Sequence, residues 1–496
     1  MSTYLSTPEM SARERGGLLV VTLVFLFVFF LLFTSLLSFV LSERELQIQR
    51  VESERAFTIA EAGLDFYKWY LAHYPDDTTF GTTTPGPYTV PYEDPELGEI
   101  GAFELDITGN LQCGELGRVD ITSTGYTNVR PQTQRTVFGR YSRPTVADYA
   151  YIIDSAVWAG PSREIFGPYH SNGGIRMDGT NSSTVSSALG TWECTSSYGC
   201  NPTIDPAPGV VGDGPNDHLW ATGTPNISFN EVTADLAAIR ELTFVDGFGL
   251  YFPQVSGGSP QEGYHVIFNG DNTVSVFEVE DSDRYWSYAS ADGSFSRKYE
   301  WITASSEVAG SPFTIPPDCA VLYFEDRVWV EGEVDGRVSL VAADLQTGSS
   351  YDPDIILNGD LTYVDNDGSD GITLIAEHNI TIPLRVPDGT DSSVEDMELQ
   401  GIFIAQNGRF GRNHYRTSGY YDIPNALNDF QIRGELAITG TIVSKGRVGT
   451  QWVSGGTPIS GFVTRVNRYD AFLAEDPPPL TPTVSDDYRF ILWREE

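Results

Sequence analysis

The chain has 496 residues, 40% of them hydrophobic and 12% aromatic, which excludes a wholly disordered polypeptide and leaves material for roughly two or three folded units. Sixty-eight Asp and Glu stand against 30 Lys and Arg, a formal charge of −38 with a pI near 4.3, so nucleic acid and anionic lipid headgroups are poor partners. Lysine occurs only at Lys68, Lys298 and Lys445; with 49 Gly and 29 Pro this composition suits an extracytoplasmic, loop-rich β protein.

Residues 1–16 are a polar segment ending in Arg13-Glu14-Arg15-Gly16. Residues 17–41 read as a transmembrane helix: Leu18 to Val40 carries no charge and spans about 35 Å as a helix, against a bilayer core of about 30 Å. The run exceeds the apolar region of an ordinary secretory signal and lacks a small-x-small cleavage site. Arg13 and Arg15 favour a cytoplasmic N-terminus and place the bulk of a single-pass protein outside.

Helix-forming residues continue from Ser42 to His73, broken only by Gly63, until Pro75 and Asp76-Asp77 stop them. Leu46, Ser53, Ala56, Ala60, Gly63, Tyr67 and Tyr70 make a narrow stripe at three- and four-residue steps, while Glu45, Arg50, Glu52, Glu54 and Arg55 are assigned mostly to the other sides. One continuous helix of roughly 55 residues is expected; a plain signal anchor followed by a stalk is the alternative. Short alternating runs follow at Tyr88–Tyr92, Ala102–Thr108, Arg118–Ser123 and Gln134–Tyr141, so residues 42–146 are expected to form one unit of helix plus small antiparallel sheet.

The order of Arg-Gly, long apolar run, amphipathic continuation and Ala60-Glu61-Ala62-Gly63-Leu64 resembles the type IV pilins and pseudopilins, specifically minor pilins of the PilX type. The resemblance implies that residues 1–16 are a leader removed by a prepilin peptidase after Gly16, with a cut after Gly17 as the alternative. The fifth mature position, usually Glu in major pilins, would be Val21 or Thr22, which argues against a major pilin.

Beyond residue 146 the texture changes. Gly- and Asn-bounded apolar runs, among them Val328–Val341, Ile355–Leu361, Thr373–Ala376, Gly401–Ala405 and Ile432–Val443, recur at roughly 20-residue spacing. Stacking such runs as rungs suggests an irregular β-solenoid in 147–229 and again in 319–496, the latter ending in a C-terminal strand; a β-sandwich is the alternative. Residues 230–318 read as an α/β insertion, with a helix over Asn230–Leu242 and a hairpin turning at Asn269-Gly-Asp-Asn272. The overall fold class is therefore α+β. Several of these phrases resemble ectodomains found behind PilX-type N-termini.

Cys194 and Cys200 bracket a Gly- and Ser-containing loop and read as a local disulfide, with two free thiols as the alternative; whether Cys113 and Cys319 pair is left open. The six histidines show no metal spacing, and H-E-x-x-H, G-x-S-x-G and P-loop motifs are missing. His170 reads as buried or turn-packing. Asp365, Asp367 and Asp370 have the acidic, Gly-bearing look of a calcium loop but fail the EF-hand template, and a solvated turn is the stronger reading. No other cofactor is expected. Trp192, Trp220, Trp286 and Trp452 read first as packing residues and second as sugar-stacking platforms.

Together these features lead to a non-enzymatic minor pilin or pilus-tip subunit of a type IV pilus or related filament, acting in assembly or adhesion. Its partners would be other pilin subunits, the membrane and a prepilin peptidase, and nucleic acid would not be among them. It would sit in the cytoplasmic membrane, and at the cell surface when assembled. A membrane-anchored β-solenoid enzyme acting on polysaccharide, or a passive cell-surface protein, are the alternatives.

Overall fold

The computed structural model describes residues 12–75, 77–230, 233–255, 261–289, 292–346, 353–387 and 396–496. Residues 1–11 of the expected leader, and Asp76, lie outside the described residues. The chain has a long N-terminal helix followed by a mostly β part, and it divides into two compact units. The first comprises Met1–Thr108, Asp120–Gly139 and Trp493–Glu496; the second comprises Gly109–Val119 and Arg140–Leu492.

In the first unit, α1 (Ala12–His73) is one uninterrupted helix. Pro75 cannot continue it, and the Tyr67 hydroxyl donates to the Asp77 carbonyl at 2.7 Å, tying the outgoing chain to the last turns. β1 (Tyr88–Asp94) pairs antiparallel with β2 (Gly98–Gln112), and β3 (Glu115–Thr127) and β4 (Gln134–Ser142) follow in order across the sheet. The fifth strand is Arg489–Glu495, from the far end of the chain. The expected C-terminal strand therefore belongs to this sheet and not to the rungs of 319–496.

Most of the second unit is built of parallel pairings. In the first stack, Leu250–Phe252 leads through Val321–Phe324, Arg337–Ala342 and Gly371–Ala376 to Met397–Ala405 and Ile432–Ser444. The same stack then continues through Tyr151–Ile153, Tyr169–Ser171, Val185–Ser187 and Trp220–Thr222. A second runs Gly263–Asn269, Val328–Val334, Ile355–Tyr363, Ile380–Ile382 and Phe410–Arg412. A third joins Met397–Ala405 and Ile432–Ser444 to Thr457–Arg468, Arg163–Phe166 and Thr180–Asn181. A short parallel sheet of Val157–Ala159, Ile175–Met177 and Val210–Val211 completes the set.

Inward residues such as Leu322, Leu340, Leu374, Phe403, Val330 and Leu357 form the largest apolar core. The opposite face of the first stack is covered as well, because Tyr323, Val341, Ile375, Ile404 and Val443 pack in a second cluster with Leu236, Ile239 and Leu473. Burial on both faces explains why Val321–Phe324 and Gly371–Ala376 are apolar at almost every position.

The expected boundaries at 229/230 and 318/319 interrupt nothing in these stacks, since Leu250–Phe252 and Gly263–Asn269 pair in parallel with Val321–Phe324 and Val328–Val334. The hairpin around Asn269–Asn272 is present, with Gly263–Asn269 antiparallel to Thr273–Tyr288. The helix expected from Asn230 is shorter: α2 spans Leu236–Arg240 and passes into a π-helical turn at Glu241–Val245. Its N-cap is Asp235, whose carboxylate accepts from Ala237 N and Ala238 N; Glu231 and Val232 lie outside the described residues.

Candidate functional site: the N-terminal helix

α1 carries two distinct surfaces in succession. From Leu18 to Leu41 its large apolar side chains are all exposed, and by length and composition this helix can cross a membrane. Its two threonine hydroxyls are satisfied internally: Thr22 Oγ1 donates to Leu18 O at 2.7 Å and Thr34 Oγ1 to Phe30 O at 2.9 Å. An apolar medium therefore strands neither of these groups. Gly16 and Gly17 both lie within the helix, and Val21 is exposed and uncharged.

From Glu52 onward one face is packed. Glu52, Ala56, Ile59, Ala60, Gly63, Leu64, Tyr67 and Leu71 are buried at three- and four-residue steps. Small residues set the distance of approach. A Cβ on Gly125 of β3 would lie 2.2 Å from Ala56 O and 2.4 Å from Ala60 N, and one on Gly63 would lie 2.3 Å from Ser123 Oγ. Phe66 then packs against Phe103 of β2 with the rings tilted at 51° and their centroids 5.7 Å apart.

The expected stripe holds at Ala56, Ala60, Gly63 and Tyr67, whereas Leu46 is exposed and Ser53 and Tyr70 are half-buried. Glu52 corrects the charge assignment: it faces the sheet. Its carboxylate accepts from Thr127 Oγ1 at 2.6 Å and from Arg55 Nη1 at 3.0 Å, which offsets its desolvation. Arg130 pairs with Glu45, and Arg135 Nη1 donates to Ser53 Oγ at 2.9 Å, so the packed face is bordered by polar ties.

Cys194 is joined to Cys200 and Cys113 to Cys319, the second bridge spanning 206 residues. Asp365, Asp367 and Asp370 are not assembled into a cation site. Asp370 is buried and accepts from Gly336 N and Asp365 N, while Asp367 accepts from Ser369 N. The Asp370 and Asp367 carboxylates hold turns, and among the described residues no group of three or more His, Cys, Asp or Glu is placed to bind a metal. His170 is buried, its ring nitrogens 2.9 Å from Ser186 Oγ and 3.1 Å from Asn172 Oδ1, and burial lowers its pKa. Trp192, Trp220, Trp286 and Trp452 are half-buried.

Two buried carboxylates carry no sequence signal. Burial pushes Glu300 up to about 7; it accepts from the Tyr415 hydroxyl at 2.8 Å and from Leu384 N at 3.0 Å. Burial likewise pushes Asp326 up to about 7, where it accepts from the backbone N–H groups of Arg327 and Val255. Both spend their oxygens on the fold.

No known family and no curated protein matches the sequence. Among solved structures the chain is similar to the competence-associated pilin ComZ from Thermus thermophilus, at 11% identity and a TM-score of 0.27, over 90% of this chain and 97% of that one. At that level of superposition neither fold nor role transfers.

Proposed function

We propose that this chain is a non-enzymatic minor subunit of a type IV pilus or related filament, of the PilX type, acting in filament assembly or surface adhesion. The observation that carries the reading is the division of α1 into a fully exposed apolar half and a half seated on a sheet through Gly63 and Gly125. A simple anchor needs only the first. A subunit whose helix leaves the lipid to pack beside other subunits' helices also needs the second, because its folded head must ride rigidly on the rod. Burial of apolar surface, at about 25 cal/mol per Å², drives that packing. The Ala60–Leu64 segment and the uncharged Val21 support a minor subunit over a major one.

In this reading the prepilin peptidase cuts after Gly16, or after Gly17, and the unprocessed chain resides in the cytoplasmic membrane with its β part outside. The three parallel stacks support a β-solenoid as the displayed ectodomain. The test is co-expression with a prepilin peptidase followed by mass spectrometry of the N-terminus and of isolated filaments. A mature chain beginning at Gly17 or Leu18 and present in filaments is expected. An intact Met1 in a chain that never co-isolates with filaments overturns the proposal.

A further inference from the structure

Some of the chain's arginines are matched by carboxylates: half-buried Arg240 pairs with Glu325, half-buried Arg337 with Asp476 and buried Arg327 with Asp354. One cavity of about 360 Å³ is lined by Arg163, Arg409, Arg447 and Arg465. Arg163, Arg409 and Arg465 are 3%, 5% and 5% exposed.

Among the described residues, their hydrogen bonds go to neutral groups. Arg163 donates to the Tyr151 hydroxyl at 3.2 Å and to Thr450 Oγ1 at 3.0 Å, and Arg465 to Ser162 Oγ at 2.5 Å and Gln451 Oε1 at 2.9 Å. Arg447 donates to Ser197 O at 2.9 Å, and Arg409 to Asn413 Oδ1. Among the described residues, the Nε of both Arg163 and Arg465 has no hydrogen-bond partner.

Arg163 and Arg465 are also register partners on adjacent parallel strands. Like charges placed directly opposite in a sheet are destabilising, and burial removes the water that would screen them. Burial, with Arg163 alongside, pushes Arg465 down to about 9. Such a cluster is a standing cost that an anion would relieve. Besides the polar Ser162, Thr450 and Gln451, its walls include the apolar and aromatic side chains of Trp158, Trp452, Pro161 and Val463. The Trp452 indole is held by its Nε1, which donates to Arg412 O at 3.1 Å. A compact inorganic anion would leave most of this volume unfilled, whereas one sugar ring offers both a charged group and an apolar face.

We propose that this cavity binds an acidic sugar residue, a hexuronate, whose carboxylate is taken by Arg163 and Arg465 and whose ring lies against Trp452. Paired N–H donors on a guanidinium match the two oxygens of a carboxylate. The proposal stands on the second unit alone and is independent of the filament reading.

The test is calorimetric titration of the full chain in detergent micelles with trigalacturonate, its methyl ester and sodium sulfate. Trigalacturonate is expected to bind, the ester at least tenfold more weakly, and equimolar sulfate should leave the trigalacturonate isotherm unchanged. Arg465→Gln is expected to weaken binding at least tenfold. Arg447→Gln, at a half-buried position and checked for an unchanged melting curve, should do so severalfold and decides the matter if the first variant misfolds. No heat with trigalacturonate, equal affinity for the ester, or sulfate binding as tightly as the sugar acid each overturns the proposal.

Discussion

Gly125→Ala is the most direct probe of how α1 is seated. The added Cβ would lie 2.2 Å from Ala56 O, 2.4 Å from Ala60 N and 3.0 Å from Ala60 Cα, all atoms of the helix backbone, so no side-chain rotation relieves the clash. Restoring ordinary contact, at about 3.4 Å and beyond, requires the helix to lift from β3 by more than an ångström. That movement loosens Ala56, Ile59, Ala60 and Leu64, all now buried. Overpacking of this kind costs about 1–3 kcal/mol, and a backbone obstacle places this substitution near the upper end. Gly117→Ala is the matched control, because a Cβ there comes no closer than 3.5 Å to any neighbour, within ordinary contact of Gln112 and Asn110 O. Hydrogen exchange of the full chain in detergent reads the outcome. Amides of residues 52–71 should lose protection in Gly125→Ala and keep it in Gly117→Ala. Equal protection in the two variants would refute the seating of α1 through its small residues.

Glu52→Ala should destabilise the same unit by about 1–3 kcal/mol, read by thermal unfolding, because it leaves the Thr127 hydroxyl without its acceptor; Glu52→Gln should cost less. Replacing Cys113 and Cys319 with serine frees a loop of 206 residues and should cost about 5 kcal/mol on the chain-entropy scale, against about 2 kcal/mol for the six-residue separation of Cys194 and Cys200. Denaturant midpoints of the two double variants give the comparison. For Glu300, a folded pKa of about 7 lies above the unfolded value, so the native state holds the proton more tightly. Stability therefore falls as pH rises from about 4.5 to 7, by an amount on the order of 3 kcal/mol. Glu300→Gln should flatten that part of the pH–stability curve; an unchanged slope would show that Glu300 does not carry it.

What local pattern could and could not reveal follows from how far apart the interacting residues lie. α1 was legible because its apolar run and its Ala56–Ala60–Gly63–Tyr67 stripe are local periodicities. Glu52 was misplaced by the same reasoning, since periodicity cannot show that Thr127, 75 residues on, supplies the donor that makes burial tolerable. Asp235 took the capping role expected of Asn230 because the helix is held where Leu236 and Ile239 meet the apolar cover of the first stack, and tertiary packing outweighs a capping preference.

Strand order shows the same dependence more sharply. Recurring Gly-bounded runs indicate strands that need neighbours, but each run is equally compatible with several. One neighbour that Ile432–Ser444 takes is Tyr151–Ile153, nearly three hundred residues earlier, so part of the stack after the late strands is supplied by residues 151–222. That return path also creates the arginine cavity. Arg163 reaches Arg465 only because Thr457–Arg468 pairs with Arg163–Phe166, and Arg409 and Arg447 arrive from separate strand connections. Four arginines scattered along an acidic sequence read individually as surface charges. Brought together by long-range strand pairing, and hydrogen-bonded among the described residues to neutral groups, they become a concentration of positive charge within an acidic chain.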